Sequence, residues 1–353
     1  MFFNPEMIVL ARESRGLTQS QLAQAAGVTQ GTISKIEHSE LMPERGLLNK
    51  LASTLGYSPE FFGETWRLRE LPVGFFRKQA SVSATAQRRI RAYANVRLLA
   101  LKKLLHSAEI PECRVQHVEA GEGRQWFDRT ARELRSLWEF RPGPIPNLSE
   151  ALESLGIVIL QADFGTDKVD GLSFNEPSVG PVIMVRFDLP GDRWRFTLAH
   201  ELAHLLFDGR GILRPAIEDD ANAFASAFLL PAHDVKPYLS RLSLQKLASL
   251  KQHWGVSMQS LMRRAVDLGL LSERQRKYLY VQLARAGYSR TSEPDVVLRE
   301  KGTLFKEVLE FHLDDLGYTD EQLRRMLYLD MDELKALSGD DTPGLRLVKS
   351  PAN

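Results

Sequence analysis

Three side chains in the stretch RFTLAHELAHLLF, residues 195 to 207, are of the kinds that bind metals and move protons: His200, Glu201 and His204. On a helix, residues four apart lie on nearly the same face, so both imidazoles can aim a ring nitrogen at one point, and neutral imidazole is a ready zinc ligand. Glu201 adjoins the first histidine and can reach a water near such an ion without holding the ion itself. Phe196, Leu198, Ala199, Leu202, Ala203, Leu205 and Leu206 predict a buried helix around them. Two imidazoles and a carboxylate are costly in such surroundings unless paired or bound to metal. Catalytic zinc takes three protein ligands and keeps one position open. The segment EDDANAFASAFLLP offers Glu218, Asp219 and Asp220 as the third. Ala221, Phe224, Ala225, Phe228 and Leu229 form its inward stripe, and at about 100° per residue Glu218 falls within that stripe while the two aspartates turn outward. Glu218 is therefore the predicted ligand, with His233, just after Pro231, in reserve.

The elements that must position this group are short. LSEALESLG reads as a helix, and IVILQA, VDGLSF and PVIMVRF read as three strands bounded by Asp, Gly and Pro, so a small sheet packed on helices is expected. Taken in order, GLSF, PVIMV, RWRFTLAHELAHLLF and EDDANAFASAFLLP resemble the ImmA/IrrE family of zinc metallopeptidases over roughly residues 147 to 235. The resemblance implies a gluzincin-type, zincin-like fold, with His200, His204 and Glu218 holding Zn2+ and Glu201 as general base for hydrolysis of a protein substrate. That family more often has Gly before the second histidine, where this chain has Ala203, a small replacement. Arg195, His233 and Tyr238 all stay open as the donor that would stabilise an oxyanion.

A second pattern opens the chain. In TQSQLAQAAGVTQGTISKIEHSE, Thr18 and Thr29 are N-cap candidates, Gly16 and Gly27 are stops, and the apolar residues fall at helical spacing. Two helices joined by a Gly-containing turn make a helix-turn-helix, whose second helix enters the DNA major groove. Residues 5 to 63 resemble the XRE/Cro-repressor family, with NKLASTLGYSPEFF as the fourth and fifth helices. That resemblance puts Gln30, Thr32 and Lys35 toward the groove, with Gln19 at the start of the preceding helix touching DNA from the other side; Gln suits bidentate reading of adenine. The module carries five Lys or Arg against seven acids, whereas residues 66 to 105 carry ten against one. Phosphate contacts from that neighbouring run and an ordinary solvated helix face are both consistent with this.

The 353 residues, 43% hydrophobic and 26% charged with a net charge of +1, suit a multidomain, mainly α chain with one α+β part and no membrane span. RPGPIPN marks a boundary. The expected divisions are a helix-turn-helix domain over 1–65, a basic helical linker over 66–146, the metallopeptidase-like domain over 147–290, and a helical C-terminal region over 291–353 ending in a disordered tail. The single cysteine, Cys113, and the lack of a signal-peptide pattern in MFFNPEMIVLARESRG place the expected location in the cytoplasm. SLQKLASLKQHWGVSMQSLMRRAVDLGLLS resembles a second helix-turn-helix, with packing as its more natural role. Three functions follow as expectations: a DNA-bound regulator, homodimeric on an operator, that cuts a repressor or related protein to switch a stress or prophage-like programme; a regulator that senses a small ligand or metal without turnover; or a toxin-antitoxin or phage-defence component.

Overall fold

In the computed structural model, residues 3–71, 82–119, 121–207, 217–288, 293–294 and 297–338 are described. The C-terminal tail DDTPGLRLVKSPAN and part of the run RLRELPVGFFRK lie outside them. The chain begins with four helices, α1 (Pro5–Ser14), α2 (Gln19–Ala26), α3 (Gln30–Glu37) and α4 (Arg45–Leu55), then a 3₁₀ turn (Pro59–Gly63). Thr18 caps α2 through a capping box with Gln21, and Gly27 ends it at φ 60°, a left-handed conformation suited to glycine. Thr29 caps α3, where its side chain accepts from the Thr32 amide.

Helix α5 (Ala84–Leu104) follows and is buried along much of its length. Next come α6 (Arg124–Leu137), α7 (Leu148–Glu153), strands β1 (Val158–Ala162), β2 (Gly171–Glu176) and β3 (Gly180–Arg186), and helices α8 (Gly191–Phe207) and α9 (Ile217–Leu229). The sheet order is β1-β3-β2, with β1 parallel and β2 antiparallel to β3. A short α10 (Ala232–Val235), α11 (Leu244–Trp254), α12 (Met258–Asp267) and α13 (Glu273–Arg285) complete this region. Helices α14 (Leu304–Glu310), α15 (Asp320–Leu327) and α16 (Met331–Ser338) close the described chain, with a π-helical turn (Phe311–Asp315) after α14.

Both faces of the sheet are covered, which explains why IVIL and VIMV are unbroken apolar runs. Ile157, Ile159, Ile183 and Val185 pack with α8, α9, α11 and α12. Their neighbours Val158, Leu160, Val182 and Met184 belong to a second core, shared with α5, the first four helices and α14 to α16. The helix-turn-helix module therefore reaches the reverse side of the sheet through α5 and the C-terminal helices. No helix among the described residues is long and apolar enough to cross a membrane.

Among the described residues of the 66–105 run, five cations meet carboxylates, Arg97 among them. Arg91 meets Glu70 at 3.1 Å and Glu13 at 3.5 Å, Lys103 meets Glu64 at 2.7 Å, and Arg69 pairs with Glu176 at the end of β2. Arg88 is exposed, 3.7 Å from Glu13, and Arg89 packs against Gly16. The second helix-turn-helix pattern forms α11 and α12. Its second helix buries Leu261, Met262 and Ala265, while Arg264 donates to the Leu230 carbonyl and pairs with Asp128, so packing occupies it.

Candidate metal centre and helix-turn-helix face

Helix α8 buries His200, Glu201 and His204 to 4%, 7% and 8% exposure. The Nε2 atoms of His200 and His204 lie 3.1 Å apart. Glu218, in the first turn of α9, places Oε2 3.4 Å from His200 Nε2 and Oε1 3.4 Å from His204 Nε2. Two zinc–nitrogen bonds of about 2.0–2.1 Å at a tetrahedral angle put their nitrogens roughly 3.3 Å apart, so the 3.1 Å between the two imidazole nitrogens suits a pair of ligands on one ion. His200, His204 and Glu218 form a group able to hold a metal ion, with ligand atoms all within 4.8 Å of one another. Two imidazoles and one carboxylate are also a donor set typical of catalytic zinc.

Asp219 is exposed, whereas Asp220, expected to turn outward, is half-buried like Glu218; Glu218 is the one of the three that joins the two histidines. His233 is not in the group: its side chain is 94% exposed and meets Asp234 at 3.1 Å. Arg195 is committed elsewhere. Its guanidinium pairs with Glu300 and donates to the carbonyl oxygen of Ile145 at 2.6 Å. Tyr238 lies against His253 and Trp254.

Two further contacts surround the group. Asn222, one turn after Glu218, places Oδ1 3.1 Å from His200 Nδ1. Because that oxygen can only accept, Nδ1 carries the proton and Nε2 keeps its lone pair toward the group. Ser173 on β2 donates its hydroxyl to Glu201 Oε2 at 2.8 Å. The i, i+4 relation of Glu218 and Asn222 offers a hint for the first, whereas nothing local announces the second. On the far side of Asn222 lies a cleft of about 780 Å³, lined along α8 and α9 by Arg193, Phe196, Asp219 and Ala223.

The N-terminal residues form a linked series. Arg12 Nε donates to Glu37 at 2.6 Å, Gln19 Nε2 donates to the same carboxylate at 2.7 Å, and Gln30 Nε2 donates to Gln19 Oε1 at 2.7 Å. Gln30 and Lys35 are exposed on α3, while Thr32 is half-buried with its hydroxyl 2.9 Å from that of Thr29. The series holds the Gln30 amide in place while leaving one N–H and the Oε1 atom available, the pair that bidentate adenine reading requires.

A helix-turn-helix at the head of the chain and a histidine-histidine-glutamate centre beside a three-stranded sheet define a two-part architecture, a DNA-binding type of module joined to a metallopeptidase type of domain. Comparison with known families agrees. Residues 8–62 match the model of the helix-turn-helix family, and residues 152–266 match that of the IrrE N-terminal-like domain. A search of curated proteins finds no match.

Proposed function

We propose that this protein is a DNA-bound transcriptional regulator whose second domain is a zinc-dependent endopeptidase, acting on a repressor or a related protein. The observation that carries this reading is the cluster of His200, His204 and Glu218 donors, with Glu201 on the same buried helix as the two histidines. When bound, zinc supplies Lewis-acid chemistry, polarising a carbonyl and making water more acidic. Glu201 takes a proton from the attacking water as its oxygen joins the scissile carbonyl carbon. It returns that proton to the amide nitrogen as the C–N bond breaks. Strand β2 is a sheet edge, and a peptide adding alongside it passes Glu201. Gln19, Gln30, Thr32 and Lys35 face the operator, and a second copy of the chain covers the other half-site.

A second reading, sensing without turnover, is favoured by the core that joins the helix-turn-helix module to the reverse side of the sheet. The variant Glu201→Gln separates the two. For a peptidase it keeps zinc and DNA binding but loses on the order of 10²–10⁴-fold in hydrolysis and fails to induce target genes. Normal induction by this variant, with zinc bound, would overturn the proteolytic reading.

A further inference from the structure

Strand β2 touches Glu201 at two points. Alternation along a strand sends residues 171 and 173 to one face, and here that face meets α8. The register with β3 pairs Gly171 with Val185 and Ser173 with Ile183. At the second position the Ser173 hydroxyl donates to Glu201 Oε2 at 2.8 Å, with both residues buried. At the first, a Cβ would stand 3.0 Å from both Cγ and Oε1 of Glu201 and 2.6 Å from Cγ2 of Thr197. Glycine is needed at 171 for space, so that the strand can approach the carboxylate closely.

A glutamate side chain turns about three bonds, and a proton acceptor that must find its orientation at every turnover is a poor one. A hydroxyl donating to Oε2 fixes the carboxylate plane, and the strand backbone at 171 borders Oε1. Charge-assisted hydrogen bonds of this kind are stronger than neutral ones and keep a buried carboxylate oriented.

We propose that Ser173 is a positioning residue for Glu201, with Gly171 making room for the contact, so that a Gly-x-Ser element on β2 sets the orientation of the proton-accepting group. This rests on the reading of Glu201 as general base. Ser173 acts on Glu201, whereas Asn222 acts on His200, so losing the Ser173 hydroxyl should disturb proton transfer without disturbing metal uptake.

The test uses the full-length, zinc-loaded protein and acetohydroxamate, a small chelating probe whose hydroxamate group also hydrogen-bonds to a neighbouring carboxylate. Zinc affinity and probe affinity are measured by calorimetry for Ser173→Ala, Ser173→Cys, Ser173→Thr and Glu201→Gln. Zinc affinity should stay at the wild-type value in all four. Probe affinity should fall about three- to tenfold in Ser173→Ala and Ser173→Cys, the range expected for one hydrogen bond, and at least as far in Glu201→Gln. Ser173→Thr, which keeps the hydroxyl, should restore it. The cysteine variant preserves volume and serves if the alanine variant fails to fold. Wild-type probe affinity in Ser173→Ala or Ser173→Cys, beside a weakened Glu201→Gln, would overturn the role of Ser173 and leave that of Glu201 standing. Failure of Ser173→Thr to restore binding would likewise overturn it. Absence of zinc uptake, or an unchanged Glu201→Gln, would instead remove the functional reading beneath it.

Discussion

Glu333 on α16 accepts a hydrogen bond from Arg15 at the end of α1 at 2.7 Å, across 318 residues of chain. The same oxygen lies 3.3 Å from Arg97 of α5, whose side chain is 6% exposed. One carboxylate thus ties the C-terminal helix to the helix-turn-helix module and to the helix that follows it. Removing it leaves two cations in poor contact with water, and Glu333→Ala should cost roughly 3 kcal/mol, as for other broken buried pairs. Denaturant titration checks this, and a loss within error of zero would mean that the pair is idle.

The same carboxyl predicts an acid limit. Burial pushes Glu333 up, but Arg97 and Arg15 outweigh it and hold the group below the usual glutamate range. A lowered folded value means that the stabilisation is complete above the unfolded value and is lost as pH falls through the folded one. Wild type should lose stability faster than Glu333→Gln in that acid window.

Glu153 behaves in the opposite sense. Burial pushes its carboxyl up to about 7, against hydrogen bonds from the Thr303 and Leu304 amides, with Glu307 and Glu150 adding to the rise. A raised carboxyl is better tolerated protonated, so its contribution should worsen as pH climbs from about 4.5 to 7. Glu153→Gln should be more stable than wild type at pH 8, with the gap closing at pH 5. Equal melting temperatures at pH 8 would refute this.

Asn222 fixes the tautomer of His200. Partners of this kind typically contribute 10–100-fold in metal affinity, and Asn222→Ala should weaken zinc binding by about that factor with the fold intact. His204→Ala should remove most of the metal. Competition against a chromophoric chelator measures both.

On DNA, the proposed function makes Gln30, held by Gln19, a base-edge reader, so Gln30→Ala should relax base preference. Lys35→Ala should leave preference unchanged, weaken binding at all sequences and lower the salt slope by about 1. A change in sequence preference with Lys35→Ala would show that it reads bases instead of phosphate.

How much of this is legible in the sequence depends on the range of the interaction. The paired histidines are legible because one helical repeat places them, Glu218 because it shares the phase of the apolar stripe on its own helix, and Thr18 and Thr29 because capping acts within three residues. Ser173 is not legible, since its contact depends on strand register, and a slip of one residue would turn it away from Glu201. The arginines after residue 66 read as a basic surface because their partners, Glu13, Glu176 and Glu333 among them, are far along the chain. The apolar runs of β1 and β3 announce burial on both faces, but nothing local says that helices beyond residue 304 provide the second cover.

That two-sided sheet limits how the parts of this protein can be exchanged. Excising residues 147–290 would strip the cover from Val158, Leu160, Phe174, Val182 and Met184, leaving an apolar wall open to self-association. Transplanting the first 65 residues onto an unrelated domain would uncover the surfaces that α5 and α16 occupy. A viable chimera would have to carry the two ends of the chain together, so the pieces would have to be exchanged as a set even though each resembles a portable module.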